Sequence, residues 1–355
     1  MQGFQSFYKG KRILVTGHTG FKGSWLCRML TGFGADVTGF ALNPPTHPNL
    51  FDRAGLSGRM TDIRGSVCDF DALSAAFAMA RPEIVIHLAA QPIVRESYRV
   101  PRETFETNVM GTVNLLECVR LDGGVKSLLN VTTDKVYLNR EDGVPCREDD
   151  PLDGYDPYSN SKSCSELVTH SYAVSFFRDV CPVSTARAGN VIGGGDWAAD
   201  RIVPDCVRAA LQGKAVEVRN PSSVRPYQHV LEPLCAYLLI AMRQWEDPAL
   251  AGWYNVGPGA EGCASTGELA DLFGTAWGEG FARVSPPQSG SAPHEAAFLR
   301  LDCEKIARTL GWKPVWDIRR AVAETCAFTR VWQADGDIPA EMDREIDTYL
   351  KEAAR

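Results

Sequence analysis

Along the first half of the chain, short runs of apolar residues alternate with longer stretches in which apolar positions recur every three or four residues. The runs predict strands at Arg12 to Thr16, Asp36 to Leu42, Ile63 to Val67, Glu83 to Leu88, Ser127 to Val131 and Pro182 to Arg187. The periodic stretches predict helices at Ser24 to Phe33, Ala72 to Ala80, Glu103 to Arg120 and from Tyr158 to about Phe177. Strands and helices in this rhythm form a doubly wound parallel sheet. Ala188 to Trp197 is too rich in glycine for the interior of an element and marks a crossing into a second lobe. Beyond it the pattern loosens. Helices are expected at Val203 to Gln212, Glu232 to Trp245, Thr266 to Trp277, Asp302 to Leu310 and Pro339 to Ala354, and strands at Ala215 to Arg219 and Trp253 to Val256.

The first predicted strand runs straight into Gly17-His18-Thr19-Gly20-Phe21-Lys22-Gly23 and then into a helix. Strand, glycine turn and helix in that order are the context of a dinucleotide fingerprint, because the turn lets backbone approach a pyrophosphate and the helix end presents free N–H groups to it. Gly17, Thr19, Gly20, Phe21, Lys22 and Gly23 are therefore candidate cofactor contacts. The expected organisation is α/β: a Rossmann-type doubly wound domain over residues 1–187, and a smaller C-terminal α/β substrate-binding lobe over 188–355, with room for the chain to cross back.

At the end of the second strand an acidic residue commonly grips the adenosine ribose. Asn43 stands there instead, so NAD and NADP both remain open on this evidence. Asp69 is placed either to meet an adenine amino group or to cap the helix that follows it. Leu88, Ala89 and Ala90 are small enough to floor a cofactor, and His87 is assigned to packing.

After the fifth strand come Thr132, Thr133, Asp134 and Lys135, and later Tyr158 and Lys162. A tyrosine and a lysine four apart share one helix face, about one turn from each other. The expected effect of that cation is to favour the phenolate, and so to make Tyr158 a base for a sugar hydroxyl. Thr133 offers a second hydrogen bond to the same oxygen.

Composition narrows the function without choosing it. Over 355 residues, 45% apolar and 23% charged content is that of an ordinary globule. A net charge of −7 argues against bulk nucleic-acid binding and leaves room for a local cationic pocket. The 11 cysteines are scattered without zinc spacing, so no metal is expected and buried thiols in a reducing cytosol are. The first residues have no apolar core of a leader, no apolar run reaches membrane-spanning length, and a cytoplasmic location is expected.

With the glycine turn, Thr133 and Tyr158-x-x-x-Lys162 in register, the chain resembles the extended short-chain dehydrogenase/reductase family. Thr133-Asp134-Lys135 resembles the sugar-nucleotide 4,6-dehydratases, in which an acidic pair follows the threonine; here Lys replaces Glu at 135. Residues 17–25, 42–46, 154–162, 188–197 and 225–233 are similar to the members acting on CDP-glucose. The resemblance implies NAD as cofactor, CDP-glucose as the small-molecule partner, and a place in deoxysugar and polysaccharide biosynthesis. It implies Thr133, Asp134, Lys135, Tyr158 and Lys162 as catalytic residues, with Tyr158 and Lys162 also touching the cofactor. Asp134 would be the acid at the C6 hydroxyl, and Lys135 either the C5 base or a stabiliser of the enolate. Asn190, with His294 and Glu295, matches substrate-facing positions; Gln91 and Arg95 could reach the sugar, and Arg201, Arg219 and Arg225 the diphosphate. A homodimer through the helices carrying Asn108 and Tyr158 is a further implication. A sugar-nucleotide 4-epimerase and a catalytically silent dinucleotide-binding protein are the rival readings.

Overall fold

A computed structural model describes residues 3–140, 142–259, 262–285 and 298–354. Its centre is a seven-stranded sheet built from β1 (Arg12–Thr16), β2 (Asp36–Ala41), β3 (Thr61–Arg64), β4 (Ile84–His87), β5 (Ser127–Val131), β6 (Val183–Ala188) and one later strand. The smaller pieces are β7 (Asn190–Ile192), β8 (Ala215–Glu217) and β9 (Val224–His229). The later strand of the main sheet is β10 (Trp253–Val256), followed by β11 (Cys263–Ser265) and β12 (Ala282–Val284). The main sheet has the order β10-β6-β5-β4-β1-β2-β3, and all of its pairs are parallel. The order reverses between β1 and β4, which opens a crevice beyond their C-terminal ends.

Side-chain alternation assigns each strand residue to one of two cores. Ile13, Val15, Ile84, Ile86, Leu129 and Val131 pack with Trp25, Leu26, Leu234 and Leu238 on one face. Leu14, Val85, Leu128 and Val183 pack with Leu73, Phe77, Leu115 and Val119 on the other. Because helices cover both faces, these strands read as nearly unbroken apolar runs. A third core, around Val203, Val207, Leu269, Phe273, Ile318 and Val322, belongs to the smaller lobe and its β11-β9-β7 and β12-β8 sheets.

Several expected elements are displaced. The third strand lies at Thr61–Arg64, not Ile63 to Val67; Gly65 N–H still bonds Ala41 C=O, after which the chain leaves the sheet and Val67 turns into the second core. Ala188 to Trp197, expected to be a turn, contains β7, held in register by β9. Trp253–Val256, expected in the smaller lobe, crosses back and pairs with β6. The helix expected over Glu103 to Arg120 is Pro101–Phe105, one widened π-type turn at Glu106–Met110, and Gly111–Asp122. Asn108 sits in that widened turn, accepting from Gln91 N–H and donating to Gln91 C=O and Ser161 Oγ. Among the described residues no helix is long and apolar enough to cross a membrane. All the cysteines are free, and Cys68, Cys146, Cys164, Cys263 and Cys303 are only partly buried, where burial of all was expected.

Candidate active site

Gly17 closes the first strand with φ at 76°, and a Cβ there would lie 2.7 Å from Ala89 N. Only glycine brings the turn this close to the end of β4. The helix Phe21–Gly32 starts from Gly20 with no side chain capping it, so its first N–H groups stay available to an anion. Thr19 Oγ1 donates to Leu42 C=O at 2.9 Å, tying the turn to the end of β2, where Asn43 is exposed. Leu88 and Ala89 bond back to Thr16, and Leu88, Ala89 and Ala90 are half-buried beside the turn. These features fit a dinucleotide. Asp69 accepts from Ala72 N–H at 3.0 Å and caps its helix, which is the second of the two roles considered for it. His87 is spent in the core on Thr16 at 2.7 Å and Thr112 at 3.4 Å.

The helix Pro157–Tyr172 owes its start to Pro157 in its first turn and to Asp156, which accepts from Ser159 N–H at 3.0 Å. Gly154, just ahead, allows the loop to lie against that helix: a Cβ there would meet Ser159 C at 2.4 Å and Lys135 C=O at 2.7 Å. This contact docks the Tyr158 helix onto the segment that follows β5. Tyr158 is buried, and burial pushes its phenol up to about 12, with Thr133 hydrogen bonding pulling it down and Asp134 raising it. Lys162, expected to bring this phenol down, is not among the main influences on it in the protein alone. The Lys162 ammonium points at Val131 C=O, 3.1 Å away, and burial lowers it to about 8.

Asp134 is fully buried, and its Oδ1 accepts from Thr133 Oγ1 and Lys135 Nζ, both at 2.9 Å. Its other oxygen, Oδ2, has no partner among the described residues. Lys135 Nζ also donates to Asn190 Oδ1 at 3.2 Å. Lys22 approaches from the glycine helix, lowered to about 7 by burial and by Arg201, Lys162 and Lys135.

Thr133, Lys135, Tyr158, Asn190, Lys22, Arg95, Arg201, Arg219 and Arg225 all line one cleft of about 650 Å³, a size suited to a small molecule. Three of its arginines are held by carboxylates that sequence reading passed over. Arg201 meets Asp196 at 3.3 Å, and Asp200 lies 2.9 Å from Arg219 and 3.9 Å from Arg95. Arg225 donates to Val224 C=O at 2.9 Å. Gln91 does not line the cleft, because its carboxamide is taken up by Ile93 and Thr104. His294 and Glu295 lie outside the described residues. Glu166 was also passed over, although its spacing of four from Lys162 puts it on the same helix face.

A family model described as GDP-mannose 4,6 dehydratase matches residues 14–325. CDP-glucose 4,6-dehydratase of Salmonella typhimurium is 44% identical over 359 residues, covering 99% of each chain. A dTDP-glucose 4,6-dehydratase of Streptomyces antibioticus is 31% identical over 91% of this chain and 92% of its own. Among solved structures, UDP-glucose 4-epimerase of Thermus thermophilus in complex with NAD superposes with a TM-score of 0.78 at 26% identity, covering 90% of this chain and 99% of that one. The chain belongs to the GDP-mannose 4,6 dehydratase family, a sugar-nucleotide branch of the extended short-chain dehydrogenase/reductases.

Proposed function

We propose that this chain is an NAD-dependent hydro-lyase that converts CDP-glucose to CDP-4-dehydro-6-deoxyglucose and water. The observation that carries this reading is the buried Asp134, one oxygen of which has no partner among the described residues, bridged to Lys135, which with Thr133 and Tyr158 lines a cleft of small-molecule size. Identity of 44% along the full length of a CDP-glucose 4,6-dehydratase supports the choice of substrate. The NAD complex of the Thermus epimerase, with the uncapped glycine helix here, supports the cofactor.

Bound at the glycine turn, the nicotinamide cofactor supplies the hydride exchange with the sugar. The chain supplies the proton chemistry. Tyr158 takes the C4 hydroxyl proton while Thr133 hydrogen-bonds the same oxygen, and the resulting ketone makes the C5 hydrogen acidic. Lys135 then acts at C5, as base or as the charge that steadies the enolate, and Asp134 protonates the C6 hydroxyl as it leaves. Arg201, Arg219 and Arg225 hold the diphosphate, Asn190 and Arg95 face the sugar, and Tyr158 and Lys162 reach the cofactor ribose. A 4-epimerase would have no use for an acid and a base at C6 and C5.

In this reading residues 1–187 chiefly hold the cofactor and 188–355 the nucleotide sugar. The enzyme works in the cytoplasm, and its product feeds deoxysugar and polysaccharide synthesis. A homodimer is supported by exposed apolar side chains on the two helix segments named for it. Met110 and Leu121 lie on one and Leu167 and Val174 on the other, each half exposed or more. Incubation with CDP-, dTDP-, UDP- and GDP-glucose tests the assignment through the absorbance of the 4-keto product in base. Product from the cytidine donor is expected, and turnover of another donor in its place would reject the assignment.

A further inference from the structure

Behind the cleft lies a buried polar cluster for which the reaction scheme has no use. Glu166 and Arg187 are each 2% exposed and form an ion pair of 3.0 Å. Glu166 Oε2 also accepts from Thr185 Oγ1 at 2.7 Å, and Oε1 accepts from Thr132 Oγ1. Arg187 is spent further on Tyr137 Oη and Glu148 C=O, both at 2.9 Å. Every polar atom of the Glu166 carboxylate thus serves the ends of β5 and β6, one residue from Thr133.

The same carboxylate faces Lys162. The two are four residues apart on the helix Pro157–Tyr172, and the ammonium is buried, with Val131 C=O as its hydrogen-bond acceptor. Among the described residues, the other titratable groups around Lys162 offer it no negative charge. Lys22 faces it from the glycine helix and His87 from β4, and His87 is held neutral by burial, lowered to about 3. Glu166 is the acid whose charge opposes the effect of burial on Lys162. A buried ammonium without a counter-charge gives up its proton.

We propose that Glu166 is a positioning residue for the reaction. Its carboxylate supplies the negative charge against which the Lys162 ammonium is buried, and it clamps Thr132 so that Thr133 is presented to Tyr158. Arg187 is the second half of the device, fixing the carboxylate while sharing its charge. The proposal rests on the dehydratase reading above. It gives the residue at the third turn of the Tyr158-x-x-x-Lys162-x-x-x-Glu166 face a task distinct from contact with cofactor or sugar.

The test is the pH profile of 4-keto product formation from CDP-glucose by the wild type and by Glu166→Gln, with thermal melting measured on each. Wild-type activity is expected to fall on the alkaline side as Lys162 loses its proton. In Glu166→Gln that fall moves toward neutral pH by about one unit, so turnover drops roughly fivefold near pH 8 and far less near pH 6.5. Glu166→Asp, which keeps the charge, restores the alkaline limb. A purely structural role would lower turnover by the same factor at every pH, and an unmoved limb in Glu166→Gln overturns the proposal. If leaving Arg187 unpaired prevents folding, Glu166→Gln/Arg187→Gln removes both charges together and is read in the same way. Absence of product from the wild type would instead reject the dehydratase reading, so the two failures are distinct.

Discussion

Lys135 Nζ lies 2.9 Å from Asp134 Oδ1, and the opposite oxygen of that fully buried carboxylate has no partner among the described residues. An ion pair on a surface has solvent for its remaining lone pairs and contributes little. A buried carboxylate with one face unsatisfied is costly unless a ligand completes it. In the proposed reaction the C6 hydroxyl of the sugar is that ligand, and Lys135 is the member of the pair that lines the cleft.

Replacing Asp134 with Asn removes the acid and leaves the shape. Turnover to the 4-keto product is expected to fall by about 10² to 10⁴, the usual worth of a positioned proton donor. Lys135→Ala is expected to fall by a similar factor while still oxidising the sugar, so reduced cofactor accumulates and is seen in its absorbance. Near wild-type turnover in both variants would remove these roles.

Tyr158→Phe acts one step earlier. With the phenol gone, C4 oxidation itself is lost, and no reduced cofactor appears in a rapid-mixing experiment with CDP-glucose. Since burial holds this phenol at about 12, it is neutral at pH 7 in the resting protein and must be deprotonated within the loaded site.

Gly154 is a mechanical requirement. A methyl group there would meet the Ser159 backbone at 2.4 Å and the Lys135 carbonyl at 2.7 Å, neither of which is a flexible side-chain end. Gly154→Ala is expected to destabilise the fold by about 1 to 3 kcal/mol. It is also expected to lower turnover, because the displaced elements carry Tyr158 and Lys135. Chemical denaturation and steady-state rates check the two effects.

Glu345 gives a stability test remote from the cleft. It is fully buried, 3.3 Å from His229. Burial raises its carboxyl well above the usual range, with Glu324 and Glu341 adding to the rise and Arg344 and Arg320 opposing it. A carboxyl whose folded value is raised contributes stability below its unfolded value and loses it as pH climbs. Above pH 6.5 the neighbouring His229, lowered to about 4 by burial, is neutral and drops out of the balance. Glu345→Gln has no proton to lose, so it should gain on the wild type as pH rises from 6.5 to 8. Melting curves of the two proteins across that range measure the difference.

How far the sequence could be read depended on what each residue does once buried. Strands such as Ile84–His87 and Ser127–Val131 are packed on both faces, and their apolar runs announced them. β9 escaped notice because Arg225, Gln228 and His229 are polar yet buried, with Gln228 donating to Val256 C=O and His229 lying beside Glu345, both distant in sequence. β7 was hidden among glycines whose close approach to Phe328 and Leu50 only the folded chain reveals. The helix Ile318–Gln333 was missed because Ala321, Glu324, Thr325 and Thr329 interrupt the large apolar residues on its buried face. At the site, Tyr158 and Lys162 were singled out by their spacing and Asp134 and Lys135 by resemblance, and the folded chain brings Thr133, Lys135 and Tyr158 to one cleft. The direction in which burial moves Tyr158 was not legible, since it depends on how deeply the helix sinks into the cleft wall.

The most direct test is to give the wild type CDP-glucose carrying deuterium at C4, with NAD, and to locate the label by NMR. Recovery of the deuterium at C6 of a 4-keto-6-deoxy sugar is expected, because hydride taken from C4 returns where water has left. Deuterium retained at C4, in unreacted sugar or in its C4 epimer, would contradict it.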